Sequence, residues 1–227
     1  EPLEITAAVS RGFTPALVGA ATLRFKRVWS YGFEEGRALA AHPLNAGTCD
    51  IWSAALQFRH DTRSSVLAPD AGSVLQADVE QAFPVTDAAR EWTRLAFWAQ
   101  YYTSWSGIVF AARAGAQGLI GDDIPIQQLL PIGGNNTVRG IPKDRFLDRT
   151  SAVGNLECRF PIWKRLGGML GVDAGAVARD PGDLPTSRWM VCPVAGLRYY
   201  LPTFVVRGDV GVSGEGVGVY FNFGQIF

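Results

Sequence analysis

This sequence has little of what catalytic and metal sites are usually built from. Histidine occurs only at His42 and His60, and cysteine only at Cys49, Cys158 and Cys192. No serine or carboxylate is arranged around either histidine, so incidental histidines are a better reading than a hydrolytic site, and the chain is not expected to be an enzyme. An odd cysteine number argues against a disulfide framework, and no spacing fits a metal. No metal and no cofactor is expected. Net charge is also missing: 21 basic residues balance 21 acidic ones, which leaves no electrostatic case for nucleic acid as a partner. Lysine is scarce, three against eighteen arginines. Arginine suits charges held by hydrogen bonds in a confined space, although codon bias would give the same ratio. The first residues, from Glu1, hold no methionine, basic stretch or apolar run, and say nothing about compartment.

Long hydrophobic runs are absent with one exception. The stretch 95–112 has no charge over 18 positions, long enough to raise a membrane-spanning helix. It contains Gln100, Thr103, Ser104, Ser106 and Gly107 and lies between Arg94 and Arg113. Two strands joined by a turn near 104–107 fit it better.

What is present is alternation. From Ala152 the even positions Gly154, Leu156, Cys158, Phe160 and Ile162 are small or apolar, and the odd positions Asn155, Glu157 and Arg159 are polar. A period of two is a strand with one apolar and one wet face. The same pattern recurs along the chain: Leu17 to Phe33, Trp52 to Phe58, Leu75 to Phe83, Leu95 to Tyr101, Ile108 to Ala114, Leu170 to Ala176, Trp189 to Tyr199, Phe204 to Val212 and Val217 to Phe227. Together with a first strand over 3–12, eleven strands are predicted, in a range of ten to twelve. Long connections over 35–50, 118–150 and 180–188 alternate with short ones at 13–15, 104–107, 163–167 and 201–203. The turn at 61–72 fits less well.

Strands of about ten residues, joined alternately by short turns and long loops, are the pattern of a transmembrane β-barrel rather than a soluble sandwich. The aromatic residues Trp29, Tyr31, Trp52, Tyr101, Trp105, Trp163, Trp189 and Tyr199 fall near strand ends, as membrane-interface girdles do. The opposite phase carries Arg24, Lys26, Arg59, Asp78, Glu80, Arg94, Arg113, Glu157, Arg159, Asp173, Arg198, Arg207 and Asp209. So many charges need a wet lumen. The fold class expected is all-β, an antiparallel transmembrane β-barrel domain over 1–227, with a long loop at about 118–150. Single-chain bacterial barrels have even strand numbers, so eleven points to the C-terminal part of a larger barrel.

The loop over 133–149 carries paired glycines, two asparagines, a proline and several charges, a composition expected to bury no apolar face. Its segment Gly133-Gly134 through Val138-Arg139-Gly140 resembles the Val-Arg-Gly-aromatic loop motif of the bacterial surface antigen family, the BamA and TamA group of outer-membrane assembly factors. Val172-Asp173-Ala174-Gly175 resembles that family's strand whose aspartate lies near the motif arginine. Residues 216–227 resemble its last strand, with a final phenylalanine that assembly machinery recognises. Ile141 replaces the usual aromatic, and the family's periplasmic repeat domains are absent from this chain.

The resemblance implies a sixteen-stranded barrel in the bacterial outer membrane that inserts or translocates other proteins. Its implied partners are outer-membrane lipids, client outer-membrane proteins and accessory assembly subunits. It also implies that the loop folds into the lumen, where Arg139 would meet Asp173, or Glu157 as second candidate. The terminal strand, with Gly216, Gly218, Phe221, Phe223 and Phe227, would then form a closing seam loosened by its glycines. A passive or structural pore partly plugged by its own loop is the alternative; such a pore would not require Arg139.

Overall fold

The computed structural model describes residues 3–30, 47–86, 90–122 and 124–227. Thirteen strands occur in them: β1 (Leu3–Gly12), β2 (Leu17–Ser30), β3 (Gly47–Asp61), β4 (Gly72–Phe83), β5 (Trp92–Trp105), β6 (Ile108–Ile120), β7 (Leu130–Ile132), β8 (Phe146–Asp148), β9 (Thr150–Trp163), β10 (Leu166–Ala178), β11 (Met190–Tyr200), β12 (Val205–Ser213) and β13 (Gly216–Phe223). Eleven of them make one antiparallel sheet in chain order, from β1 through β6 and then β9 through β13. The short strands β7 and β8 pair with each other inside the loop between β6 and β9. The alternation therefore counted the wall correctly. It missed β7 and β8 because three residues are too few to display a period.

The charge-free stretch is the β5–β6 hairpin, turning at Ser106 and Gly107, both with positive φ. Among the described residues no helix is long and apolar enough to cross a membrane. The rim joined by 13–16, 106–107, 164–165 and 201–204 has short turns, with 62–71 its longer member. The other rim has the long connections and ends in the two-residue turn 214–215. The expected girdle residue Tyr31, the strand end at Phe33, His42 and most of the loop before Cys49 lie outside the described residues.

Burial runs opposite to a soluble protein. Leu156, Val172 and Phe221, which a soluble sandwich would bury, are 62%, 42% and 73% exposed. Glu80, Glu157, Arg159, Asp173, Arg198 and Asp209 on the other phase are buried. Lipid can cover the first face, and only a closed or otherwise paired ladder satisfies backbone groups there. Of the expected girdle residues within the described chain, Trp29, Trp52, Tyr101, Trp105, Trp163, Trp189 and Tyr199 are all exposed. Arg27, which breaks the alternation of its strand, stands opposite Asp50 in the β2–β3 register and bonds it through two nitrogens at 2.6 and 2.7 Å. Local register supplied its partner.

Candidate lumenal loop site

The site is built by the β6–β9 loop turning into the lumen. Gly133 and Gly134, at φ of 116° and 86°, reverse the chain, and a β-carbon on Gly133 would lie within van der Waals radius of the Pro142 carbonyl. Thr137 Oγ1 closes the turn by accepting from the Gly133 amide and donating to its carbonyl, both at 2.9 Å. The Gly134 amide donates to the Ile141 carbonyl at 2.8 Å. The result is a compact tip that presents Val138, Arg139 and Gly140 to the wall.

The expectation that this loop buries no apolar face is corrected. Ile132, Val138 and Ile141 are fully buried and form a cluster with Val153, Met190 and Cys192. Gly175 in β10 leaves the space into which Val138 fits, since a β-carbon there would stand 2.7 Å from the valine side chain. Three apolar side chains scattered among glycines and charges give no periodic signal. Ile141, at the position where an aromatic was expected, fills its place in this cluster.

Arg139 stands among three carboxylates, all fully buried. Its Nε and Nη2 donate to the two oxygens of Asp173 at 2.8 and 2.9 Å, and its backbone amide also donates to Asp173 Oδ2 at 2.9 Å. Nη2 lies 2.8 Å from Glu157 Oε1, and Nη1 donates to Asp209 Oδ2 at 2.9 Å. Burial alone would disfavour the charge, but the Asp173 bonds and the fields of Glu157, Asp173 and Asp209 outweigh it and raise the Arg139 pKa above its ordinary value. Asn155 bridges loop and wall, donating from Nδ2 to Asp173 Oδ1 at 2.7 Å and to the Thr137 carbonyl at 2.8 Å. Arg159 pairs with Glu157 at 2.8 Å, Arg198 with Asp209, and Arg207 reaches Asn135 in the loop at 2.7 Å.

Gly140, at φ of 95°, brings the tip against β12 and β13. Its amide donates to Tyr220 Oη at 3.2 Å, its carbonyl accepts from Ser213 Oγ at 2.6 Å, and Tyr220 Oη donates on to the Ile141 carbonyl at 3.3 Å. Gly211 makes this approach possible: a β-carbon there would be 2.5 Å from the Arg139 carbonyl carbon and 2.6 Å from the Gly140 nitrogen. Val138, Arg139, Gly140, Glu157 and Asp173 are thus all brought together. Asp209, Asn155, Gly211, Ser213 and Tyr220 join them without having been singled out. Asp209 was legible as an inward-phase carboxylate; the others are polar or small residues whose role depends on a contact distant in sequence.

The terminal strand differs from its expected form. It ends at Phe223 rather than 227; Gly224, at φ of 83°, breaks the extended backbone, and the alternation with it. Phe221 and Phe223 face outward, but Phe227 is buried inside beside Tyr102. Gly216 opens the strand directly after the turn 214–215 at φ of 137°, and a β-carbon on Gly218 would meet the Tyr220 hydroxyl. All eight β13 residues pair in register with β12. On the β12 side these glycines leave the ladder intact, and Gly218 makes room for Tyr220.

A second charged cluster lies on the wall of the earlier strands. Glu80 accepts from Ser53 at 2.7 Å and pairs with Arg24 at 3.0 Å and Arg94 at 2.8 Å. Among the described residues no group of three His, Cys, Asp or Glu side chains could hold a metal ion.

An inside-out sheet with an arginine-tipped loop in its lumen agrees with the family comparison, in which the Omp85 superfamily domain matches residues 5–227. The chain belongs to the Omp85 superfamily. It is an outer-membrane β-barrel protein. BamA from Haemophilus ducreyi, in a form lacking POTRA domains 1–3, superposes with a TM-score of 0.74 at 13% identity over 98% of this chain and 53% of that one. CdiB from Escherichia coli gives 0.69 at 12% identity, over 98% of this chain and 44% of the other. CdiB from Acinetobacter baumannii gives 0.64 at 15%, over 98% and 41%. At such identities the likeness is one of fold, and this Omp85 chain spans only about half the length of those chains. Among curated proteins none matches the sequence.

Proposed function

We propose that this Omp85 barrel inserts client proteins into the outer membrane, or passes them across it, at a lateral seam bordered by β13. The full barrel would have sixteen strands, with others between β1 and β13. What supports this is that β13 is held from the lumen side: Tyr220, on that strand, is bonded to both Gly140 and Ile141 of the loop tip. In the full barrel the edge of β13 away from β12 would meet the first strand, which is not among the strands described, and opening that one contact would free the edge. An unpaired edge ordinarily templates association with another chain. A client strand would use it by β-augmentation and enter lipid with its hydrogen bonds satisfied. The loop would keep that edge in position through many cycles. Outer-membrane lipids and client barrel proteins are the partners this reading requires, accessory assembly subunits would be additional, and no catalysed reaction is assigned.

The test is a lock. Paired cysteines joining β13 to the first strand of the full-length barrel, in a background free of Cys49, Cys158 and Cys192, are expected to slow client assembly at least tenfold, with reduction restoring it. A locked barrel that works at the normal rate would favour the plugged-pore reading and remove this one.

A further inference from the structure

Residues 225–227 do not continue the wall. Beyond Gly224 the chain turns into the lumen, where Phe227 is buried with Tyr102 and Ala111, and Ile226 packs against them. Its ring lies 5.3 Å from the Arg113 guanidinium and 5.3 Å from that of Arg159. Nη1 of Arg113 donates to the Ile226 carbonyl at 3.4 Å, Nη2 of Arg159 to the Phe227 carbonyl at 3.3 Å, and Nε of Arg198 to Gln225 Oε1 at 3.1 Å.

The need for these acceptors follows from the charge balance. Arg113, Arg139, Arg159, Arg198 and Arg207 are buried here with Glu157, Asp173 and Asp209 as the only buried side-chain carboxylates beside them among the described residues. Five guanidinium groups outnumber three carboxylates, so carbonyl oxygens and ring faces must take the remaining donors. The segment after β13 supplies three such acceptors, to Arg113, Arg159 and Arg198, while Arg159 Nη1 and Arg207 Nε stay without a hydrogen-bond partner among the described residues.

Arg113 is the residue shared by both insertions into the lumen. Its Nε donates to Asn155 at 2.9 Å and its Nη2 to the Asn136 carbonyl of the loop tip at 2.6 Å, while Nη1 holds Ile226. Trp98, with its ring centre 5.4 Å away, limits the guanidinium on another side. One planar fork therefore has one nitrogen on the wall, one on the loop and one on the segment following the terminal strand.

We infer that residues 225–227 are an intramolecular latch on the end of β13, and that Arg113 couples the latch to the docked loop, so that release of either weakens the other. Arg113 is a positioning residue in this device. The inference goes beyond client insertion and stands or falls without it, because its readout is exposure of the loop and not assembly.

The test uses the full-length barrel in liposomes, in a background with the native cysteines replaced by alanine, and a single Val138→Cys reporter at the buried loop tip. The rate of labelling by a water-soluble maleimide reads undocking. Phe227→Ala, or Gln225→Ala with Phe227 kept where the first does not assemble, is expected to raise that rate roughly fivefold or more, within the usual range of coupling between sites. In an Arg113→Gln background, where labelling is already raised, adding Phe227→Ala should change it little, since the two changes remove one pathway. Should Arg113→Gln fail to assemble, Arg113→Lys keeps the charge but cannot bond three acceptors in a plane, and is read the same way. Unchanged labelling in Phe227→Ala, or an equal multiplicative rise with and without Arg113, would overturn the inference.

Discussion

Arg139→Ala is expected to destabilise the folded barrel by roughly 3–5 kcal/mol, the usual cost of breaking a buried ion pair by removing one partner. The magnitude comes less from the bonds lost than from what remains. Asp173, Glu157 and Asp209 are buried, and each would lose a guanidinium contact at 2.8 or 2.9 Å. Asp173 keeps Asn155, Asp209 keeps Arg198 and Glu157 keeps Arg159, which places the cost within that range rather than above it. Arg139→Lys should recover only a minor part. An ammonium carries the charge but cannot bond both Asp173 oxygens side-on while reaching two further carboxylates. Denaturant midpoints in detergent or liposomes, with labelling of the loop tip alongside, check both variants; equal stability of wild type and Arg139→Ala would mean that the cluster relaxes or takes in water freely.

Gly211→Ala is expected to undock the loop as completely as loss of Arg139, although it removes no bond. The added methyl would stand 2.5 to 2.6 Å from backbone atoms of Arg139 and Gly140, which cannot rotate away as a side chain would. Either β12 or the tip must move, and the tip is the less constrained of the two. Gly208→Ala is the control on the same strand: its nearest neighbour is the Phe221 ring at 4.0 Å, ordinary van der Waals contact. Gly211→Ala should expose the loop tip to protease or thiol reagent while Gly208→Ala leaves it protected. Equal protection in both would mean that the approach of Gly140 to β12 contributes little.

The difference between these two glycines marks how far the sequence could be read. Wall strands were legible because lipid on one side and polar lumen on the other impose a period of two on every strand, as at Leu156 and Glu157 or Val172 and Asp173. Inward phase placed Glu157 and Asp173 on strands adjacent in space, but that Arg139 would meet them was implied by the resemblance of the loop motif and not by the period. Period carries no information about which small residue faces an inserted loop. The period sets Gly208 on the outward phase and Gly211 on the inward one, but it does not tell that Gly211 faces the backbone of Arg139 and Gly140 while Gly208 has only the Phe221 ring near it. Tyr220 and Ser213 lie on the polar phase of their strands, which does not tell that they bond the loop tip. Phe227 was misplaced by extending the period across Gly224, where a positive φ ends the strand. The apolar grip of Ile132, Val138 and Ile141 was hidden by a composition that, averaged over the loop, is polar.

The claim that β13 borders a working seam is tested most directly by asking what touches that strand while a client is being assembled. A photoreactive side chain placed at Val219 of the full-length barrel, 75% exposed on the outward face of β13, should form adducts with a client strand during assembly and lose them when the client is released. Adducts confined to lipid and to the barrel's own strands, with client captured only at lumenal positions such as Asn136, would contradict the account.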